Sequence, residues 1–97
     1  MKVLLVCAAG MSTGILVKKL EKYAADQGLD FEIKATGVNS YEDVCKNYDC
    51  ILMGPQVSYR KDQVAAGSGM PVGVISPQDY GMGNCESIIK LARSLMA

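Results

Sequence analysis

Near its start the chain carries the apolar run Lys2-Val3-Leu4-Leu5-Val6-Cys7. An almost continuous run of this kind, rich in β-formers, is typical of a strand covered on both faces in a parallel sheet. Small residues follow over 8–14, and a helical pattern begins at Ile15. The order strand, loop, helix indicates the first half of a βαβ unit.

The rest of the chain repeats this alternation of patterns. Strands are expected over 31–35, 49–54 and 71–76, and helices over 15–27, 40–46, 57–66 and from a cap at Asn84 onward. The first helix is expected to bury Leu16, Leu20 and Ala24, with Val17 and Tyr23 beside them, and to end at Gly28. The last is expected to bury Ile88, Leu91, Ala92 and Leu95. Residues 77–83 are expected to form a loop.

The alternation predicts a single α/β domain over residues 1–97, a three-layer sandwich with helices on both faces of a four-stranded parallel sheet. Right-handed crossovers suit the strand order 2-1-3-4, with the polar-alternating second strand at an edge. In such a sheet ligands bind beyond the carboxyl ends of the strands, where the strand order reverses. Cys7 ends the strand at that point.

The composition excludes several classes of function. Ten basic residues balance ten acidic ones, so neither a nucleic-acid surface nor a polybasic membrane anchor is expected. The absence of His removes Ser–His and Cys–His catalytic pairs and His metal ligands, and with no Trp and one Phe a base-stacking platform is not expected. No metal site and no cofactor are expected.

The four cysteines are Cys7, Cys45, Cys50 and Cys85, and their spacing contains no C-x-x-C pair. Free thiols suit a reducing compartment, and we expect the last three to be small buried apolar residues. The apolar run from Val3 to Ala9 is too short to span a bilayer. The protein is therefore expected to be cytoplasmic.

The loop after Cys7 suits an anion. Ala8, Ala9, Gly10 and Gly14 let backbone N–H groups turn inward, and the next helix adds its own N–H groups and the positive end of its dipole. A cysteine facing this ring is expected to be partly ionised as a thiolate. Ser12 or Thr13 is predicted to cap the helix.

Charge and spacing narrow the choice of anion. Gly10 and Gly14 fit neither the dinucleotide motif nor the P-loop motif. Cys7 is the one ionisable residue between Lys2 and Lys18. Such a neutral cradle could accept a phosphoryl group on sulfur and release it again, whereas a hydrolase is expected to need a fixed cation. The same residues also suit a buried cysteine before an ordinary helix.

Three segments carry a family resemblance. Residues 7–14, Cys-Ala-Ala-Gly-Met-Ser-Thr-Gly, closely resemble the active-site loop of IIB components of the bacterial sugar phosphotransferase system, in the lactose/cellobiose (chitobiose) family. Residues 53–57, Met-Gly-Pro-Gln-Val, and 79–81, Asp-Tyr-Gly, look similar to the same family. The resemblance covers essentially the whole chain. It implies a fold like that of low-molecular-weight tyrosine phosphatase.

The resemblance also implies a phosphoryl relay, making the chain a protein-phosphohistidine–sugar phosphotransferase. Phosphohistidine of a partner IIA protein would pass its phosphoryl group to Cys7, and the phosphocysteine would pass it to a sugar presented by the membrane IIC component. The backbone N–H groups of Ala8, Ala9, Gly10, Met11, Ser12, Thr13 and Gly14 would hold the phosphoryl oxygens. A β-linked disaccharide of the cellobiose, chitobiose or lactose class is expected, and a monomer is the expected state.

Further residues are candidates for contacts with the site or with partners. Gln56 and Tyr80 follow the third and fourth predicted strands and could reach the same sheet edge, or could be ordinary loop residues. Met11, Ile15 and Met82 are candidates for an exposed apolar patch that docks two partners in turn, or for core positions.

Two other functions remain open from the sequence. A low-molecular-weight tyrosine phosphatase or related arsenate reductase would share the fold, but its C-x5-R loop requires an arginine where this chain has Thr13. A non-enzymatic binding module would leave Cys7 buried and unreactive.

Overall fold

A four-stranded parallel sheet forms the centre of the structure, a computed structural model that describes residues 1–7, 10–37 and 41–96. The strands are β1 (Lys2–Cys7), β2 (Glu32–Gly37), β3 (Cys50–Met53) and β4 (Val72–Val74). Their order is β2-β1-β3-β4, with Lys2 beside Glu32, Val3 beside Cys50 and Ile51 beside Val72. The predicted α/β class, parallel sheet and strand order are confirmed.

Helices connect the strands. They are α1 (Gly10–Asp26), α2 (Lys61–Ser68), α3 (Pro77–Met82) and α4 (Cys85–Met96), with 3₁₀ segments at Tyr41–Asp43, Cys45–Asn47 and Pro55–Arg60. In the part of the chain that is described, no helix is long and apolar enough to cross a membrane.

Two apolar cores explain the apolar run of β1. Val3 and Leu5 pack on one face of the sheet with α1 and α4, whereas Leu4 and Val6 pack on the other face with α2 and the 3₁₀ segments. All four side chains are fully buried. A strand between two cores has no face for polar residues, and this fixes β1 at the middle of the sheet.

The first helix begins earlier than its pattern indicated. Leu16, Leu20 and Ala24 are buried as predicted, and the chain leaves the helix through Gly28 at φ +66°. However, α1 starts at Gly10 rather than Ile15, because glycines and hydroxyl residues conceal the helical pattern of its first turn. Ser12 and Thr13 lie inside that turn, so the prediction that either one caps the helix is wrong.

The segment 77–83 was also predicted incorrectly, since it contains α3 instead of a loop. Ser76 caps this helix, its Oγ accepting from the Asp79 N–H at 3.1 Å, and Pro77 occupies the first turn. The predicted helix over 40–46 is replaced by two 3₁₀ segments, and its proposed cap Ser40 lies outside the described residues. The helix predicted over 57–66 is divided into a 3₁₀ segment and α2, with Val57 non-helical.

The last helix has the predicted cap and a somewhat different buried face. Asn84 Oδ1 accepts from the Ser87 N–H at 3.3 Å. Ile88 and Ala92 are buried as expected, and Ile89 is buried too. Leu91 and Leu95 are only half-buried, and their ends pack against Gly73 of the short strand β4.

Candidate functional site

Cys7 is the last residue of β1 and lies at the carboxyl edge of the sheet. It is 2% exposed, and its Sγ lies 3.8 Å from the Thr36 carbonyl oxygen of β2. On the other side, the Gly54 N–H donates to the Val6 carbonyl at 2.9 Å. Strands on both sides therefore fix the position of Cys7.

The start of α1 lies three residues beyond Cys7. The first N–H groups of a helix have no carbonyl partner within it, and they form the positive end of its dipole. Of the predicted anion-binding residues, Gly10 to Gly14 belong to these first turns of α1, and Ala8 and Ala9 lie outside the described residues. The site thus joins a thiol at a strand end to a helix that begins beside it.

Gly54 is the point at which three parts of the chain meet. A Cβ atom built on Gly54 would stand 2.9 Å from Gln56 Oε1, 3.5 Å from Tyr80 Cε2 and 3.7 Å from Cys7 Cβ. Gly54 follows β3, and Tyr80 comes from α3. The structure therefore brings Gln56 and Tyr80 to the immediate surroundings of Cys7.

Helix α3 holds Tyr80 in this position. The Tyr80 N–H donates to the Ser76 carbonyl at 2.9 Å, and the helix ends at Gly83 with φ +64°. The half-buried Tyr80 ring packs against the core shared with α1 and α4. The sequence carried a signal for this helix in Ser76-Pro77, a cap followed by proline.

A cleft of about 210 Å³ adjoins the site, with Tyr80 in its wall. Ile15, Leu16 and Lys19 of α1 form the opposite side. A Cβ on Gly83 would stand 2.8 Å from Lys19 Nζ, so the ammonium group lies across the end of α3. Sequence reasoning missed Lys19, although its spacing of four residues from Ile15 places both on one helix face.

Two of the three residues predicted to form an exposed apolar patch are indeed exposed. Ile15 lines this cleft, and Met82 is the last residue of α3. Ile15 is 68% exposed and Met82 is 75% exposed. The side chain of Met11 lies outside the described part of the structure. Large apolar side chains with such exposure, close to a cleft, are typical of a surface that contacts another protein.

The remaining cysteines are free thiols with different surroundings. Cys45 and Cys50 are buried as predicted, but Cys85 is only half-buried, because it begins α4 and its Sγ donates to the Gly83 carbonyl at 3.4 Å. Burial, and next the nearby Asp49 carboxylate, raise the pKa of Cys50 from 9.0 to about 11. Among the described residues no group of His, Cys, Asp and Glu could hold a metal ion.

Comparison with known proteins gives a consistent result. Residues 2–91 match the family model described as PTS system, Lactose/Cellobiose specific IIB subunit. The chain is 41% identical to the PTS system cellobiose-specific EIIB component of Lactococcus lactis, covering 95% of this chain and 93% of that protein. It is 37% identical to the oligo-beta-mannoside-specific EIIB component of Bacillus subtilis, covering 98% and 95%. A longer relative, the lactose-specific EIICB component of Lactococcus lactis, is 30% identical over 66% of this chain and 11% of its own length.

Two solved structures have the same fold. The cellobiose-specific phosphotransferase IIB component protein of Borrelia burgdorferi superposes with a TM-score of 0.81 at 34% identity, over 99% of this chain and 91% of that chain. The lactose-specific IIB component domain of the phosphoenolpyruvate:carbohydrate phosphotransferase system of Streptococcus pneumoniae superposes with a TM-score of 0.77 at 20% identity, over 94% and 96%.

Proposed function

Because the chain belongs to the lactose/cellobiose-specific IIB subunit family of the phosphotransferase system, we propose that Cys7 is the residue on which it carries the phosphoryl group. The chain is an EIIB component and transfers a phosphoryl group to sugar. The observation that supports Cys7 is its place at the end of the central strand, three residues before α1 begins. The other three thiols lack a helix start of this kind after a strand end.

The local charge suits transfer in both directions. Between Lys2 and Lys18 the sequence has no ionisable residue except Cys7. The N–H groups of 8–14 would hold the phosphoryl oxygens through backbone dipoles, which stabilise the anion without the strong attraction of a fixed guanidinium. A phosphoryl group held in this way is stable enough to form and weakly enough bound to leave.

The reaction proceeds in two displacements. In the first, the Cys7 thiolate attacks phosphorus, an S–P bond forms, and the P–N bond of the donor's phosphohistidine breaks with its electron pair returning to the imidazole nitrogen. In the second, a sugar hydroxyl attacks phosphorus, an O–P bond forms, and the electron pair of the S–P bond returns to the Cys7 sulfur. The hydroxyl proton passes to solvent.

IIB components work with IIA and IIC partners, and we assign their contact surface on this chain to the cleft that Tyr80 lines. Ile15 and Met82 supply exposed apolar area there, with Met11 as a further contact and Lys19 as the nearby cation. The phosphorylated IIA protein is the donor, and the membrane IIC component presents the sugar. The EIICB relative supports the second partner by its name. We propose that the chain acts as a monomeric IIB domain over residues 1–97, in the cytoplasm at the membrane surface.

The sugar belongs to the β-linked disaccharide class, such as cellobiose, chitobiose or lactose. The relatives named for cellobiose and for oligo-beta-mannoside support this class, whereas a relative that is 40% identical is named for galactose. We assign the choice among these sugars to the membrane component, which presents the sugar.

Phosphorylation of Cys7 is tested by peptide mass spectrometry. The protein is incubated with phosphoenolpyruvate, the two general phosphotransferase proteins and a lactose/cellobiose-type IIA protein. We expect one added phosphoryl group, on the peptide that contains Cys7, and none when IIA is omitted. Cys7→Ser should fold and lose the relay, because a hydroxyl is a far weaker nucleophile than a thiolate.

Cys85→Ser is the matched control, since it makes the same substitution at a more accessible thiol. It should keep the adduct and the transfer to sugar. Full sugar phosphorylation by Cys7→Ser would refute the assignment of the nucleophile. Release of phosphate from an aryl phosphate, without any adduct from IIA, would favour the phosphatase alternative instead.

A further inference from the structure

The amide of Gln56, an exposed side chain, lies against Gly54 near Cys7, the proposed nucleophile. Its Oε1 lies 2.9 Å from the position that a Gly54 Cβ would take, and Cys7 Cβ lies 3.7 Å from the same position. The Gln56 side chain is therefore folded back over Gly54, on the face of Gly54 that Cys7 Cβ also borders. Of the three side chains near the position of a Gly54 Cβ, those of Gln56, Tyr80 and Cys7, the Gln56 amide is the closest.

The chemistry of the site requires donors at that place. A phosphoryl group on a side chain carries roughly −1.5 to −2 charges at neutral pH and presents three acceptor oxygens. A primary amide offers two N–H donors without a charge, and it can turn to present either its nitrogen or its oxygen. It thus adds a hydrogen bond to the anion and keeps the cradle neutral.

We propose that the Gln56 side-chain amide donates a hydrogen bond to the phosphoryl group on Cys7, and that Gly54 is a positioning residue that leaves room for it. This inference rests on the proposed function of Cys7. It assigns to Gln56 a direct contact with the transferred group, and to Gly54 an indirect role that acts only through Gln56.

The backbone of Gly54 makes this division of roles testable. Gly54 has φ −64° and ψ 150°, an extended conformation that alanine adopts freely and that suits a residue before Pro55. In Gly54→Ala the new methyl group would displace the flexible end of Gln56, and it would make only ordinary contacts with Tyr80 and Cys7. The variant should therefore fold normally and lose the amide contact.

The experiment measures an equilibrium, because an equilibrium constant does not depend on how the partners dock. Purified phosphorylated IIA protein is mixed with each variant, without phosphoenolpyruvate, and the phosphoryl group is allowed to distribute between IIA and Cys7. Loss of one hydrogen bond to a charged group should lower the constant about tenfold in Gln56→Ala. Gln56→Glu, which adds a negative charge and removes both donors, should lower it further.

Gly54→Ala should lower the constant to the same extent as Gln56→Ala, and the double variant should show no further decrease. Gln27→Ala, which removes an exposed amide just beyond the far end of α1, should match the unaltered protein. Thermal unfolding of each variant verifies its fold.

Two results would overturn the inference while leaving the proposed function intact: an unchanged constant in Gln56→Ala, or an independent, additive effect of Gly54→Ala. Failure of the unaltered protein to take up any phosphoryl group on Cys7 would instead refute the proposed function itself.

Discussion

Cys7 and Cys50 lie at opposite ends of adjacent strands, and their surroundings give the two thiols different chemistry. Cys7 ends β1 beside the start of α1, whereas Cys50 begins β3 next to Asp49, paired in register with Val3. Cys50 is fully buried, and burial raises its pKa to about 11. The sequence already singled out Cys7 by the loop that follows it, and the structure adds that Cys50 lies at the opposite edge of the sheet, in a fully buried position.

The raised pKa of Cys50 has a consequence for stability at high pH. In the unfolded chain the thiol ionises near its ordinary value of 9.0, and in the folded chain near 11. Between these pH values the folded state binds more protons than the unfolded state. The contribution of Cys50 to the free energy of unfolding is therefore complete below pH 9 and is lost as the pH rises through 11.

We therefore expect the free energy of unfolding to fall more steeply with pH in the unaltered protein than in Cys50→Ala over this range. Denaturant unfolding of both proteins at a series of pH values measures the difference between the two curves. Since other groups titrate equally in both proteins, parallel curves would show that Cys50 keeps its ordinary pKa.

At the scale of elements, the strands and helices with a clear apolar pattern were predicted correctly from the sequence. The apolar run of β1 and the spacing of Leu16, Leu20 and Ala24 arise from burial, which a pattern records directly. The first turn of α1 and the whole of α3 were missed, because glycines, a proline and hydroxyl residues form them. Both missed pieces border Cys7, so the parts that shape the site are those with the weakest pattern.

The packing of α4 on β4 depends on a glycine, Gly73, which has no side chain to separate the two elements. A Cβ on Gly73 would stand 2.9 Å from Leu95 Cδ1 and 3.2 Å from Leu91 Cδ1. Gly73→Ala should therefore destabilise the fold by about 1–2 kcal/mol, because both leucines would have to move. Gly81→Ala is the matched control, since its methyl group would meet nothing within 4 Å and would lie in a helix. Denaturant unfolding compares the two, and equal stability would show that the leucines adjust without cost.

At the scale of the whole molecule, the proposed partner surface combines groups that are distant in sequence. Ile15 of α1 lines the cleft with Tyr80, and Met82 is exposed on the same helix as Tyr80. Ile15 and Met82 were predicted to form this surface because they are apolar residues close to loops. The four-residue spacing puts Lys19 on the same helix face as Ile15, but its position across the end of α3 depends on how α1 and α3 pack together.

Ile15→Gln should reduce the rate of phosphorylation by IIA about tenfold, as loss of a central interface residue typically does. Stability should not change, because Ile15 is 68% exposed and glutamine suits a helix. Met96→Gln, at the far end of α4 and 44% exposed, is the control and should keep the normal rate. Rates are measured with limiting IIA. Equal rates for both variants would place the docking surface elsewhere.

The parallel register described above also determines when the central strand can be completed during synthesis. β1 is made first, yet its partners are Glu32 to Gly37 on one side and Cys50 to Met53 on the other. Until both segments have left the ribosome, its five apolar residues have neither neighbour. Such an unpaired segment is prone to aggregate, and the site at Cys7 can form only after both neighbouring strands have been made.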